Sequence, residues 1–124
     1  MTGVRGFLRM MRASHLFGNA SKLVRRERYQ EACDVLKVAL DLLQPVHGTL
    51  LDPLRLSTRM SAIALLSRAA AKLGHLPLAT ASIREGLALW EESGLPRTPK
   101  LQAMVEWETW ARQYLAWANR GEEP

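Results

Sequence analysis

The feature that most constrains this 124-residue chain is a repetition of its apolar pattern at a distance of 47 residues. The stretch RYQEACDVLKVALDLL (28–43) aligns with HLPLATASIREGLALW (75–90), and the residues before each stretch agree at the same offset. The aligned pairs are Tyr29 with Leu76, Ala32 with Ala79, Leu36 with Ile83, Ala39 with Gly86, Leu16 with Ile63, Ala20 with Ser67 and Leu23 with Ala70. Small residues recur where two backbones have to approach closely, so the pattern predicts a repeated pair of helices.

The composition and periodicity predict an all-α fold. The aligned stretches place apolar residues at intervals of three and four, alternating strand-forming runs are absent, and no Asn-Gly or Asp-Gly hairpin turn occurs. Hydrophobic residues make up 48% of the chain, which is ample for one folded core. We expect helices at about 13–26, 29–43, 53–73, 77–92 and 98–119, with a shorter segment at about 4–12 as a candidate sixth.

Gly and Pro residues mark the breaks between these helices. The breaks are QPVHG at 44–48, Asp52-Pro53, Gly74, SGLP at 93–96, Thr98-Pro99 and Gly121. No low-complexity segment or linker divides the chain, so it is predicted to form a single domain. Its expected parts are a basic amphipathic segment (1–12), a first hairpin (13–45), a second hairpin (53–92) and a closing helix (98–119).

The N-terminal segment has an apolar face that does not line up with the one after it. Its apolar residues are Val4, Phe7, Leu8 and Met11, and those of the next stretch are Leu16, Phe17, Ala20, Leu23 and Val24. At 100° per residue these two faces point in nearly opposite directions. Either the chain bends near Ala13-Ser14, or the first segment serves a different surface.

The last helix supplies a third copy of the first half of the repeat, because Ala111 lies 44 residues beyond Ser67. Its motif WETWARQY (107–114), together with Ala32, Leu36 and Ala39 ending near Pro45, resembles the tetratricopeptide repeat (TPR) pattern Trp-x2-Leu-Gly-x2-Tyr, Ala-x3-Phe, Pro. The repeats of this chain are longer than the family's 34 residues, and no copy is complete. The resemblance implies stacked antiparallel hairpins of a long-repeat type that is also found in bacterial regulatory proteins. An unrelated helical bundle with similar alanine spacing is the alternative.

The resemblance implies a concave groove lined by the first helix of each pair. Its expected residues are Phe17, Ser21, Val24, Arg25, Ser61, Ala64, Arg68, Ala71, Lys72, Glu108 and Arg112. Some family members clamp a terminal carboxylate with lysines and asparagines, but Phe17 and Ala64 stand at the lysine positions here and Ser21 and Arg68 at the asparagine positions. An acidic or mixed helix or loop is therefore the expected ligand, unless the basic groove residues are only a solvated face.

An aromatic stripe runs along the last helix. Trp107, Trp110, Tyr114 and Trp117 follow at steps of three, four and three, about 120° from a second apolar stripe on the same helix. One hairpin covers only one of these faces. The stripe is thus either part of the core or a recognition surface. The face that the hairpin leaves open is covered by the N-terminal segment, by a second copy of the chain in a homodimer, or by another protein.

Positive charge is concentrated at the N-terminal end. Residues 1–28 hold seven basic residues against Glu27 alone, which gives this end a net charge of +6. The other 96 residues carry a net charge of −1, so the whole chain has a net charge of +5. The basic cluster is Arg5, Arg9, Arg12, Lys22, Arg25, Arg26 and Arg28. It is either a solvated face or a site for an acidic partner. Nucleic-acid binding through this cluster is the alternative function, although no recognition-helix motif accompanies it.

Nothing in the sequence points to catalysis. The three histidines are scattered, Cys33 has no partner at a metal-ligand spacing, and no glycine-rich phosphate loop occurs, so we expect neither enzyme activity nor a metal or cofactor. No apolar stretch is long enough to span a membrane, and Arg9 and Arg12 interrupt any signal-peptide core, so a cytoplasmic protein is expected. The resemblance implies a small bacterial adaptor, chaperone or immunity-type protein that binds another protein.

Overall fold

The computed structural model describes the backbone of residues 2–44, 53–95 and 101–120, and the side chains of these stretches apart from 2–5 and 53–55. Within them the chain forms five α-helices and no strand, which confirms the predicted all-α class. The helices are α1 (Thr2–Arg25), α2 (Tyr29–Leu42), α3 (Pro53–Lys72), α4 (Leu76–Glu92) and α5 (Gln102–Asn119). The bounds of α2, α3 and α4 lie within one residue of those predicted from periodicity.

Some of the predicted breaks lie outside the described residues. These breaks are Pro45 and His47 of the QPVHG turn, Asp52, Thr98-Pro99 and Gly121. The side chains of Val4 and Arg5, which were predicted to belong to the N-terminal segment, also lie outside the described residues. For the same reason the predicted start of the last helix at 98 has no structural counterpart here, and α5 is described from Gln102.

The helices pack as consecutive antiparallel pairs. α1 lies against α2 and α3 against α4, while α2 also packs on α3 and α4 on α5. The first helices of the pairs, α1 and α3, touch each other more lightly, as do α3 and α5. The result is a stack of two helical hairpins closed by α5, with α1, α3 and α5 on one side.

The two hairpin turns have the same geometry 47 residues apart. At the end of α3, Gly74 has φ +74°, and the His75 N–H donates to the carbonyl of Ala70 at 3.0 Å, which closes the helix. At the end of α1, Glu27 adopts φ 60° and the Arg28 N–H donates to the carbonyl of Leu23 at 2.9 Å. The 47-residue repeat seen in the sequence is therefore also a repeat of backbone conformation. Glycine adopts a positive φ readily at Gly74, whereas Glu27 adopts it despite its side chain.

The core forms where small residues let the helices approach. Ala20, Ser67 and Ala111, at corresponding positions of α1, α3 and α5, are all fully buried. One cluster joins the first four helices around Cys33, Leu36, Leu66 and Ala79. A second joins α3, α4 and α5 around Met60, Ile83, Trp90 and Trp107.

The N-terminal segment is not a separate helix. α1 runs without interruption from Thr2 to Arg25, so the predicted helix start at about 13 is wrong, and the candidate sixth helix at about 4–12 is part of α1. Met10 and Ala13 pack on Leu43 at the end of α2. The predicted apolar face of this segment does not share that packing. Its residues Phe7, Leu8 and Met11 are 63%, 60% and 56% exposed.

Candidate functional site

Two adjacent cavities lie between the first helices of the stack, and we call them together the groove. Each has a volume of about 240 Å³. The first is lined by Val24, Tyr29, Arg68, Ala71, Lys72, Trp110 and Tyr114. The second is lined by Phe17, Ser61, Ala64, Leu65, Arg68, Ala103, Met104 and Trp107. Seven residues of the predicted concave face thus line one continuous surface, in which Arg68 borders both cavities.

The aromatic stripe of α5 divides into one core residue and three groove-side or surface residues. Trp107 is 2% exposed, and its indole N–H donates to the Ser67 hydroxyl at 2.9 Å. That hydroxyl donates in turn to the carbonyl of Ala64 at 2.7 Å, so both buried polar groups are satisfied. Trp107 is therefore held in place as part of the wall.

The other three aromatic residues form a half-exposed ladder. The ring centroids of Trp110 and Tyr114 are 5.5 Å apart, and those of Tyr114 and Trp117 are 5.3 Å apart. Burial raises the pKa of the Tyr114 hydroxyl. The two sites expected separately, an aromatic surface and a groove, consequently share Trp110 and Tyr114.

The groove carries positive charge that is not neutralised within the described residues. Arg68 and Lys72 are exposed, and neither forms an ion pair with a described carboxylate. The guanidinium carbon of Arg68 lies 4.8 Å from the centre of the Trp110 ring, a cation–π contact that orients the charge over the groove. An apolar surface with two available cations suits a ligand that is partly apolar and partly acidic.

Glu108 and Arg112 were predicted to lie in the groove, but the structure turns them toward α4. Glu108 accepts a hydrogen bond from the Trp90 indole at 3.1 Å, and Arg112 reaches Glu91 at 2.8 Å and Glu108 at 3.0 Å. Hydrogen bonds to Glu91 and Glu108 raise the pKa of Arg112. Within the described part of the chain, these two residues line neither cavity.

Two further predicted groove residues lie on α1 without lining either cavity. The Ser21 hydroxyl donates to the carbonyl of Phe17 at 3.1 Å, which ties it to its own helix. Arg25 is exposed near the end of α1. Ser21 lies between Phe17 and Val24 on the same face of the helix.

Sequence reasoning missed four groove residues: Tyr29, Leu65, Ala103 and Met104. Met104 is buried, Leu65 is half-buried and Ala103 is exposed. Tyr29 follows the turn at Glu27, and only the packing of α2 beside α3 brings its ring to the first cavity. A half-buried aromatic residue directly after a hairpin turn was the one available signal.

The predicted basic cluster does not form one patch. Arg9 donates to the carbonyls of Asp41 and Leu42 at 3.2 and 3.4 Å, near the end of α2, and Arg28 donates to Glu31 at 2.9 Å. The remaining exposed side chains fall into two groups, Arg12 on one side and Lys22, Arg25 and Arg26 on the other. Arg12 and Lys22 are ten residues apart, roughly 15 Å along the helix. The side chain of Arg5 lies outside the described residues.

The described residues offer little reactive chemistry. Cys33 is fully buried, and burial raises the pKa of its thiol, so the nucleophilic thiolate is disfavoured. Among the described side chains, no three His, Cys, Asp or Glu residues come together to hold a metal ion. None of the described helices combines the length and apolar character needed to cross a membrane.

Comparison with known proteins adds no relative. No protein-family model, no curated protein and no solved structure matches this chain.

Proposed function

We propose that this chain is a non-enzymatic protein–protein interaction module, built as a TPR-like stack, that binds a peptide or helix of a partner protein in its groove. The observation that carries the proposal is an apolar groove bordered by Arg68 and Lys72, two cations without a described carboxylate partner. Burial of apolar side chains supplies affinity at such a surface, and charge complementarity supplies orientation and selectivity.

The partner surface that fits is apolar with at least one acidic side chain. Aromatic residues and arginine are the side chains that most often dominate binding energy at protein interfaces. The groove offers both, since Trp110, Tyr114 and Arg68 lie next to one another. A free carboxyl terminus is a poorer fit because the lysine–asparagine clamp of the resembled family is replaced here. An adaptor, chaperone or immunity-type role is consistent with such binding.

The test is affinity capture from the source organism followed by mass spectrometry, run in parallel with three forms of the protein. These are the native chain, Arg68→Glu with Lys72→Glu, and a control, Lys37→Glu with Arg84→Glu. The control makes the same change in net charge on exposed positions of the second helices, α2 and α4.

We expect a partner that the native chain and the control retain and the groove variant loses. The groove variant should remain folded, because both residues are exposed and the cation–π contact of Arg68 is worth about 0.5–1 kcal/mol. Equal capture by all three folded forms would contradict the proposal.

A further inference from the structure

The linings of the two cavities repeat at an interval of seven residues on three different helices. On each helix, at least one residue that lines the second cavity is followed seven positions later by a residue that lines the first. The pairs are Phe17 and Val24 on α1, Ala64 and Ala71 on α3, and Trp107 and Tyr114 on α5. The groove therefore runs along the common direction of these three helices rather than across them.

Seven residues are nearly two turns of an α-helix and correspond to roughly 10.5 Å of rise. A guest helix lying along the groove would present side chains at i and i+7 on one face with that same separation. An extended strand matches poorly, because its side chains on one face repeat every ~6.6 Å, so they fall at about 6.6 or 13 Å. Each cavity, at about 240 Å³, has room for one large apolar side chain.

Arg68 fixes what should lie between the two apolar side chains. It is the residue shared by the two linings, and its guanidinium carbon lies 4.8 Å from the centre of the Trp110 ring. On a guest helix, the positions halfway between i and i+7 on the same face are i+3 and i+4. A carboxylate at either position would face Arg68 whichever way the helix runs.

We infer that the groove binds an amphipathic α-helix of a partner protein with large apolar residues at i and i+7 and an acidic residue at i+3 or i+4. This inference rests on the proposed function and specifies the partner's chemistry at that site.

The test is selection of a displayed library of random 16-residue peptides on the native protein. Two variants separate the groove from the rest of the surface. Ala71→Leu fills the first cavity, whereas Ala81→Leu adds the same side chain at an exposed position of α4. We expect enriched peptides to share two apolar residues seven apart with Asp or Glu midway, and to bind Ala71→Leu about tenfold more weakly than Ala81→Leu.

Synthetic versions of an enriched peptide then test the register and the charge. Inserting one residue between the apolar positions should weaken binding about tenfold, because it rotates the second side chain out of its cavity. Replacing the acidic residue with Lys should weaken binding to the native protein and restore it on Arg68→Glu.

An empty selection, enriched peptides without the seven-residue spacing, or binding that survives the insertion would each overturn the inference. The proposed function is judged separately by the capture experiment. If capture of a native partner still requires Arg68 and Lys72, the proposed function stands and the groove binds a ligand of a different shape. If the groove variant captures the same partners as the native chain, both proposals are wrong.

Discussion

Single residues decide which parts of a repeated pattern become core. Ser67 occupies the position that Ala20 and Ala111 hold in the neighbouring first helices, and all three are fully buried. Only Ser67 carries a hydroxyl, and it accepts the indole N–H of Trp107. Without that acceptor a buried N–H would lack a partner, at a cost of about 1–3 kcal/mol. The serine thus makes Trp107 suitable for the interior.

Gly86 is the complementary case, since here the missing side chain is what matters. A Cβ on Gly86 would lie 2.7 Å from Cη2 of Trp107 and 3.0 Å from Cγ2 of Ile63. The Trp107 ring is held by its bond to Ser67 and has little room to move. We predict that Gly86→Ala destabilises the fold by about 1–2 kcal/mol in urea unfolding, because overpacking outweighs the gain in helix propensity.

The control for this variant is Gly18→Ala in α1, where an added Cβ meets no atom within 4 Å. There we expect a stabilisation of about 0.5–1 kcal/mol, since only the helix propensity changes. If the Gly86→Ala protein is as stable as the Gly18→Ala protein, the Trp107 ring moves aside at little cost in free energy and the prediction is wrong.

At the scale of the element, α1 carries two different faces along its N-terminal half. Met10 and Ala13 pack on Leu43, and Arg9 reaches the carbonyls near the end of α2. These contacts extend the hairpin beyond the repeat recognised in the sequence. Phe7, Leu8 and Met11 contribute little to it because they remain exposed.

Adjacent methionines allow a direct comparison of the two faces. Met10 is 9% exposed and Met11 is 56% exposed. We predict that Met10→Ala costs about 2 kcal/mol of unfolding free energy, by loss of buried apolar contacts. Met11→Ala should change it by less than about 0.5 kcal/mol. Urea unfolding of both variants measures this, and equal effects would mean that the two faces are not distinguished in solution.

At the scale of the whole molecule, stacking creates a surface that no hairpin has alone. α1, α3 and α5 each contribute side chains to both cavities, and α5 adds an aromatic ladder at the open end of the stack. A half-exposed run of aromatic residues at the end of a stack is a surface on which a partner or a second copy can pack.

The variant Trp110→Ala with Trp117→Ala tests this ladder. We predict that it keeps its helical circular dichroism, with a stability loss of about 1–3 kcal/mol from two broken ring pairs. Partner capture, or self-association measured by light scattering, should fall more strongly. Trp107→Ala on the same helix is the control, with an expected loss of about 3–5 kcal/mol because this ring is buried. Loss of helical signal in the double variant would instead make the ladder part of the core.

The sequence by itself determined the bounds of α2, α3 and α4 and several of the small residues at helix contacts. Bounds within one residue for α2, α3 and α4 follow from periodicity and from Gly74 and Pro53, which act through the local backbone. Ala32, Ala79 and Ala111 were identified as contact positions by their spacing, and all are fully buried. Such features depend on neighbours within a few residues along the chain, so they can be deduced without knowing the fold.

Only the tertiary structure decided which neighbour each face meets. Periodicity placed Trp107, Trp110 and Tyr114 in one stripe, yet Trp107 became a buried wall of the groove, whereas Trp110 and Tyr114 stayed half-exposed beside it. The family resemblance likewise implied that Glu108 and Arg112 lie in the groove, whereas Trp90 and Glu91 hold them against α4. The physical reason is that a helical period fixes which residues share a face, while the direction of that face depends on packing against residues distant in sequence.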